Sequence, residues 1–280
     1  MSDQIREQQK QTWNKFAPGW KKWDELTMSF LKPAGDAILE RARLVPGHRV
    51  LDVATGTGEP GLSAAAKVGS GKVTGVDLSE EMAQIARENA RSKGLTNFEA
   101  KVCDAGILPF DDGIFDAILC RFGVMFFPDP SSNLKEMARV LKPGGRMVLV
   151  AWGSPAENTW ATTIGQIVNQ RLNIPAPPPD APGLYRFAQE GLLSSLLQSA
   201  GLKEVRQEKV QGTFSLESPD LYWDWQTDVA APVVAALSKA DSATREEIKQ
   251  EVLRLAREKS STKDKVTFHW GWWVVSGFRA

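Results

Sequence analysis

The chain has 280 residues, 42% of them hydrophobic, and its 34 basic side chains equal its 34 acidic ones. That length builds a full core, either as one large domain or as a domain carrying an added lobe, and the second is expected. Balanced charge leaves no field to gather nucleic acid or an anionic membrane surface, so a small, weakly charged substrate is favoured.

The opening MSDQIREQQKQTWNKF lacks an apolar stretch of signal-peptide length, and no run of 18 apolar residues occurs, so a cytoplasmic protein without a membrane span is expected. Trp13, Trp20 and Trp23 recur near helical spacing in this N-terminal segment. From about Leu31 to Trp152, short apolar runs alternate with helical patterns, which predicts a sheet covered on both faces. The strands are RVLDVA (49–54), KVTGVD (72–77), NFEAKVC (97–103), FDAILC (115–120) and GRMVLVAW (145–152). Cys103 and Cys120 fall in these segments and read as free thiols.

Between the second and third strands, Ser79 caps a helix with Met82, Ile85, Ala86 and Ala90 on one face, closed by Gly94. After the fourth strand, Ser131 or Ser132 caps a helix carrying Leu134, Met137, Ala138 and Leu141, stopped by Pro-Gly-Gly. Beyond Trp152 come a helix near 158–173, the proline loop NIPAPPPDAPG (173–183), a helix near 188–200 and a sixth strand over 203–210. Residues 217–260 read as mostly helical, with Thr244 and Glu247 as a capping box. The closing KVTFHWGWWVVSGFRA is β-branched and aromatic enough to return into the sheet.

The loop after the first strand, Gly56-Thr57-Gly58-Glu59-Pro60-Gly61, matches the dinucleotide fingerprint, and Asp77 follows about 20 residues on. It serves equally as a tight strand-to-helix connection. Asp52 and Glu59 put negative charge where a pyrophosphate would sit and oppose it, whereas a cationic ligand gains. The adenosyl group of S-adenosylmethionine fits both features, offering ribose hydroxyls to Asp77 and no phosphate. Asp104, after the third strand, accepts from the adenine amine on this reading, or only caps the following turn.

Four stretches in order, VLDVATGTGEPG, VTGVDLSEEMAQIARENA, VCDAGILPFDDGIFDAILCRFGVMFFPD and EMARVLKPGGRMVLVAW, resemble the motifs of class I S-adenosylmethionine-dependent methyltransferases. The similarity is greatest to the ubiquinone and menaquinone C-methyltransferase branch and covers about residues 49–152. It implies an α/β, doubly wound, seven-stranded, mostly parallel Rossmann-like sheet whose last strand is antiparallel, with a helical insertion at about 217–260. It also implies a cofactor set of Trp20, Asp52, Ala54, Gly56, Thr57, Gly58, Asp77, Leu78, Met82, Cys103, Asp104, Ala105, Arg121 and Phe122. Ala54, Gly56 and Gly58 approach the methionine part through backbone, Leu78 and Met82 pack on adenine, Asp104 and Ala105 read its edge, and Arg121 and Phe122 lie beside the methionyl end. The expected division is 1–30 as a helical segment over the cofactor, 31–152 as the cofactor-binding core and 153–280 as the remainder of the same domain.

Methyl transfer from a sulfonium needs alignment and exclusion of water more than a catalytic triad or a metal, and neither pattern occurs in the sequence. A base for a phenol or carbon acid would come from His269, Tyr185 or Tyr222, each of which reads more simply as packing, so no catalytic residue is named. His48 falls in the turn before the first strand, remote from the site. Arg121 either orients an anionic acceptor or pairs with Asp104 or Asp129. Trp223, Trp225, Trp270, Trp272 and Trp273 either line a flat pocket for a quinone-like, aromatic or polyketide acceptor or form the lobe's own core. With two cysteines, arsenite methylation is weakly supported. The alternatives are a non-catalytic cofactor-binding protein on the same fold and an NAD-dependent dehydrogenase, which Asp52, Glu59 and Asp104 oppose. The acceptor atom and the oligomeric state are open, a homodimer being one option.

Overall fold

The computed structural model describes residues 2–178, 180–258 and 265–280. Seven strands, β1 (Arg49–Val53), β2 (Lys72–Asp77), β3 (Phe98–Val102), β4 (Phe115–Arg121), β5 (Leu141–Trp152), β6 (Leu202–Leu216) and β7 (Val266–Arg279), form one sheet in the order β3-β2-β1-β4-β5-β7-β6. The first five pair in parallel and the last is antiparallel. Strand β1 is buried at every position after Arg49, as expected for a central parallel strand covered on both faces. Order reverses between β1 and β4, so the carboxyl ends of these two strands flank the crevice where open α/β sheets bind ligands.

The helices are α1 (Ser2–Lys22), α2 (Asp24–Ala42), α3 (Gly61–Val68), α4 (Glu80–Ser92), α5 (Pro130–Val140), α6 (Thr159–Arg171), α7 (Leu192–Ser199), α8 (Pro219–Val229), α9 (Ala231–Leu237) and α10 (Ser242–Glu258). Ser79 caps α4 by accepting from Met82 N at 3.1 Å, and Gly94, at φ 68°, follows its end as expected. Three helix starts differ from the sequence reading. Helix α5 is capped by Asp129, whose carboxylate takes Ser132 N at 3.1 Å and Ser132 Oγ at 2.6 Å, while Pro130 fills the first turn, where no N–H is needed. Helix α10 begins two residues before Thr244, because Asp241 accepts from Thr244 N at 2.7 Å and supplies the cap one turn earlier. Helix α7 starts at Leu192 rather than near 188, because Gly191 sits at φ 84° ahead of it. The 217–260 segment resolves into α8, α9 and α10, and its residues 259–260 lie outside the described ones.

Two compact units divide the chain: 1–152, 182–209 and 273–280 in the first, 153–181 and 210–272 in the second. The first is the sheet core. Burial is continuous over Ala117–Cys120 of β4 and Met147–Trp152 of β5, and Phe122 stacks on Trp152 at 4.0 Å between ring centroids. In it α1 packs on α4, where Ala17, Met82 and Ile85 form a cluster with Trp13 and Trp20 against it. Trp23 leaves that face, since it lies in the break between α1 and α2.

The second unit has its own aromatic core. Tyr222 packs on Phe268 at 4.3 Å and donates to Trp160 O at 2.5 Å, and Trp270 stacks on Trp272 at 3.8 Å. Trp223 and Trp225 are buried with them, and in the first unit Trp273 is also buried and donates to Ala188 O at 2.9 Å. All five C-terminal tryptophans are therefore spent on packing. Both cysteines are free.

Candidate functional site

A cleft opens in the first unit at the carboxyl ends of β1, β2 and β4, and the register explains why its walls meet there. Val53 pairs with Val76, so Ala54 and Asp77 emerge side by side; Asp77 pairs with Val102, so Cys103 and Asp104 come next; Asp52 pairs with Leu119, which brings Arg121 level with Ala54. The two loops at the switch point touch closely. A Cβ on Gly123 would lie 2.4 Å from the Ala54 Cβ, and Ala54 and Phe122 both take left-handed backbone, at φ 56° and 57°. Non-glycine residues hold that conformation at a cost of about 1–3 kcal/mol, which marks these two turns as positions fixed for a purpose beyond the chain reversal.

The glycines of the loop answer to different needs. Gly56, at φ 56°, has nothing within 4 Å of where a Cβ would stand, so its face is open to a ligand. At Gly61 a Cβ would stand 2.7 Å from Asp52 Oδ2 and 2.9 Å from the Phe98 ring, so this glycine serves packing. The carboxylates then fasten the loop. Asp52 Oδ2 accepts from Thr55 Oγ1 at 2.7 Å and Gly61 N at 3.0 Å; Glu59 accepts from Ser63 N at 3.1 Å; Asp77 accepts from Gly56 N and Ser79 N, each at 2.9 Å.

Twelve of the fourteen residues expected at the site line this cleft: Trp20, Ala54, Gly56, Thr57, Asp77, Leu78, Met82, Cys103, Asp104, Ala105, Arg121 and Phe122. Asp52 and Gly58 do not. Asp52 is fully buried, and burial pushes its carboxyl up to about 7, so it anchors the loop from behind instead of presenting charge to a ligand. Gly58, at φ 116°, faces Leu62, whose Cδ1 would lie 2.7 Å from an added Cβ. Burial also raises the Asp77 carboxyl, and the backbone donors of Ser79, Gly56 and Leu78 oppose that. Asp104 caps the following turn, with one oxygen taking Gly106 N at 2.8 Å, and its other oxygen pairs with Arg6 of α1, a partner the sequence did not suggest.

Arg121 pairs with neither Asp104 nor Asp129, because Arg6 and the α5 cap hold those carboxylates. The charges acting on it are Asp52, Glu59 and Asp24, and burial draws its guanidinium below the usual arginine range. Several liners escaped the sequence reading: Arg6, Gln9, Met28, Leu31, Phe126, Phe127 and Asn133. Arg6, Trp13 and Trp20 recur every seven residues, a helix-face signal that could have found the first.

Among the cleft's lining residues there is no histidine or tyrosine. His269 is exposed in the second unit, Tyr222 is committed to Trp160, and burial raises the Tyr185 hydroxyl further from neutrality. No group of three or more His, Cys, Asp or Glu that could hold a metal occurs among the described residues. None of their helices is long and apolar enough to cross a membrane.

Comparison with known proteins agrees with this geometry. The profile of a methyltransferase-domain family matches residues 44–172. The ubiquinone/menaquinone biosynthesis C-methyltransferase UbiE of Geotalea daltonii is 39% identical over 121 residues, 42% of this chain and 51% of that protein, so the match spans about half of its length. UbiE of Cupriavidus taiwanensis is 31% identical over 182 residues, 60% of this chain and 72% of the relative. Among solved structures, the YcgJ protein from Bacillus subtilis is 20% identical, with a TM-score of 0.58 over 89% of this chain and 98% of that one, a likeness of fold. On the extent of the Cupriavidus match and the ordered motifs around the cleft, the chain belongs to the S-adenosylmethionine-dependent methyltransferase family.

Proposed function

We propose that the protein transfers a methyl group from S-adenosylmethionine to a small apolar acceptor of aromatic or quinone-like character. The observation that carries this reading is the composition of the cleft. Its loop side offers the open face of Gly56 and the carboxylates of Asp77 and Asp104, and its other walls are Trp13, Trp20, Met28, Leu31, Phe122, Phe126 and Phe127. The polar side suits an adenosine diol and amine, and the cation beside it, Arg6, is paired with Asp104. When bound, the cofactor supplies a methyl already activated by a positive sulfur.

The chain's part is then to hold and to dry. Asp77 accepts from the ribose hydroxyls, with its orientation fixed by Gly56 N and Ser79 N. Leu78 and Met82 present apolar surface to the adenine, and Asp104 presents an oxygen to its edge, kept in place by Gly106 N and Arg6. Helix α1 lies across the opening through Arg6, Gln9, Trp13 and Trp20 and excludes water, while Asn14 Oδ1 accepts from Ser79 Oγ at 2.6 Å and ties it to the start of α4. A flat acceptor gains from the same aromatic wall, and alignment of its nucleophile supplies most of the acceleration such a reaction needs. Some of the relatives bear quinone-methylating names, which favours this acceptor class over an amine.

The test is transfer of a labelled methyl group to a panel of quinols, phenols and amines. Transfer to a quinol or phenol is expected. S-adenosylhomocysteine binding without turnover across the panel would overturn the assignment in favour of a non-catalytic cofactor-binding protein.

A further inference from the structure

Residues 103–114, between β3 and β4, contain no helix or strand, yet Cys103, Asp104 and Ala105 at their start form one wall of the cleft. Little of this loop is held by its own packing. Ile107 is 70% exposed, Pro109, Asp111 and Asp112 are exposed, and only Ala105 and Leu108 are buried. A segment with so few apolar contacts opens locally unless other bonds hold it, and the wall would open with it.

Helix α5 supplies those bonds through three side chains spaced three residues apart along it. Asn133 lies against Gly106, its amide 3.2 Å from where a Cβ would stand, and Gly106 N donates to Asp104 Oδ1 at 2.8 Å. Glu136 Oε1 accepts from Leu108 N at 2.8 Å. Arg139 donates to Leu108 O at 3.0 Å, to Phe110 O at 2.9 Å and to Asp112 Oδ1 at 2.6 Å. Its Nε and Nη2 also donate to the two Glu136 oxygens, each at 2.8 Å, so the guanidinium uses all five of its donors.

Leu108 is thus gripped by its N–H and its C=O together, and Gly113 N fixes the far end of the loop by donating to Arg139 O at 3.0 Å. Toward the cleft, Ile107 N donates to Asp104 O at 3.0 Å and closes the turn between Leu108 and Asp104. An unbroken series of bonds therefore runs from Arg139, which does not line the cleft, to Asp104, which does.

We propose that Arg139, acting through Glu136 and the 104–112 loop, is a positioning residue for nucleobase recognition, fixing the Asp104 carboxylate where the adenine amine donates to it. The proposal rests on the methyltransferase reading and deepens it. The ribose contacts belong to Asp77 and the Gly56 loop on other strands, so loss of Arg139 costs base selectivity and spares the rest of cofactor binding.

The test is calorimetric titration of the full chain with S-adenosylhomocysteine and with its 6-deamino analogue, in which hydrogen replaces the adenine amine. Wild type prefers the amine by roughly 10-fold or more, the scale of a hydrogen bond to a charged group. Arg139→Gln narrows that preference by about the same factor, while the deamino analogue keeps its wild-type dissociation constant. Arg279→Gln is the structural control, because Arg279 donates to Arg139 O and Leu141 O at the same end of α5 without touching residues 104–112. It lowers the melting temperature and keeps the preference. Should Arg139→Gln fail to fold, Glu136→Gln, which retains an acceptor for Leu108 N, decides in its place. The proposal is overturned if the preference survives in the variant, if both ligands weaken by one factor, if Arg279→Gln narrows the preference equally, or if wild type shows no preference. Wild type binding neither ligand would instead overturn the methyltransferase reading.

Discussion

Replacing Asp52 by Asn tests the claim that this carboxylate is a buried fastener and not a charge offered to the ligand. Burial lifts it from an ordinary 3.8 to about 7, with Thr55, Arg121 and Gly61 opposing. Between those values the folded state holds a proton that the unfolded state has released. Stability from this group is thus complete below about pH 4 and is lost as pH rises through 7. At 1.36 kcal/mol per pH unit, the displacement from 3.8 to about 7 costs on the order of 4 kcal/mol by pH 8. Asn keeps an acceptor for Thr55 Oγ1 and Gly61 N, but its amide lands where Oδ1 has no partner, which costs about 1–3 kcal/mol at every pH. Denaturant midpoints of both proteins from pH 5 to 8.5 should therefore converge or cross as pH rises, the variant losing less than the wild type. Parallel curves, with a constant difference over that range, would refute the buried-fastener account.

Further expectations follow from the same geometry. Asp77→Ala weakens S-adenosylhomocysteine binding by about 1–3 kcal/mol, the scale of a charge-assisted hydrogen bond lost with its partner left unpaired; an unchanged dissociation constant in a folded variant would remove Asp77 from the ribose role. Gly61→Ala forces a methyl into contact with Asp52 Oδ2 at 2.7 Å and the Phe98 ring at 2.9 Å, so its melting temperature falls by an amount corresponding to about 1–3 kcal/mol. Gly56→Ala meets nothing within 4 Å and pays only about 1 kcal/mol for its left-handed backbone, so its larger effect is on cofactor affinity; equal stability losses in the two variants would contradict these separate roles. Burial pushes the thiols of Cys103 and Cys120 up to about 11 and about 12. Native protein at pH 8 should therefore react slowly with an aromatic disulfide and fully once denatured, and a fast native thiol would show that the cleft at Cys103 is more open than described.

The central strands could be read from the sequence because parallel strands covered on both faces leave short, mostly apolar runs, as in Val50–Val53 and Val73–Val76, where Asp52 and Thr74 are the polar side chains. Helix starts were less legible. Ser131, Ser132 and Thr244 all have capping chemistry, but Asp129 and Asp241, two or three residues earlier, accept from Ser132 N and Thr244 N and start the helices there. Partners distant in sequence were not legible at all. Asp104 is as plausible a partner for Arg121 as for Arg6 until the fold lays α1 across the cleft, and that choice leaves Arg121 facing a methionine. The C-terminal tryptophans show a related ambiguity. Composition cannot tell an aromatic pocket from an aromatic core, and here the packing of Tyr222, Phe268, Trp270 and Trp272 decides for the core. The aromatic wall that a flat acceptor would meet comes instead from α1 and the 122–127 turn.

The glycine loop itself carries the deeper point about reading such motifs. Its pattern is that of a pyrophosphate cradle, and the acidic residues around it were expected to repel phosphate through their charge. The geometry reaches the same exclusion by another route. Burial raises the Asp52 carboxyl to about 7 and Asp52 does not line the cleft, so of the two only Glu59 presents a carboxylate there. What matters is that Asp52 and Glu59 occupy Gly61 N and Ser63 N, the donors a helix N-terminus would turn toward a pyrophosphate. The fold has thus supplied its own anions to the site where a dinucleotide would place its phosphates. It leaves the open face of Gly56 and the Asp77 carboxylate for a nucleoside with none.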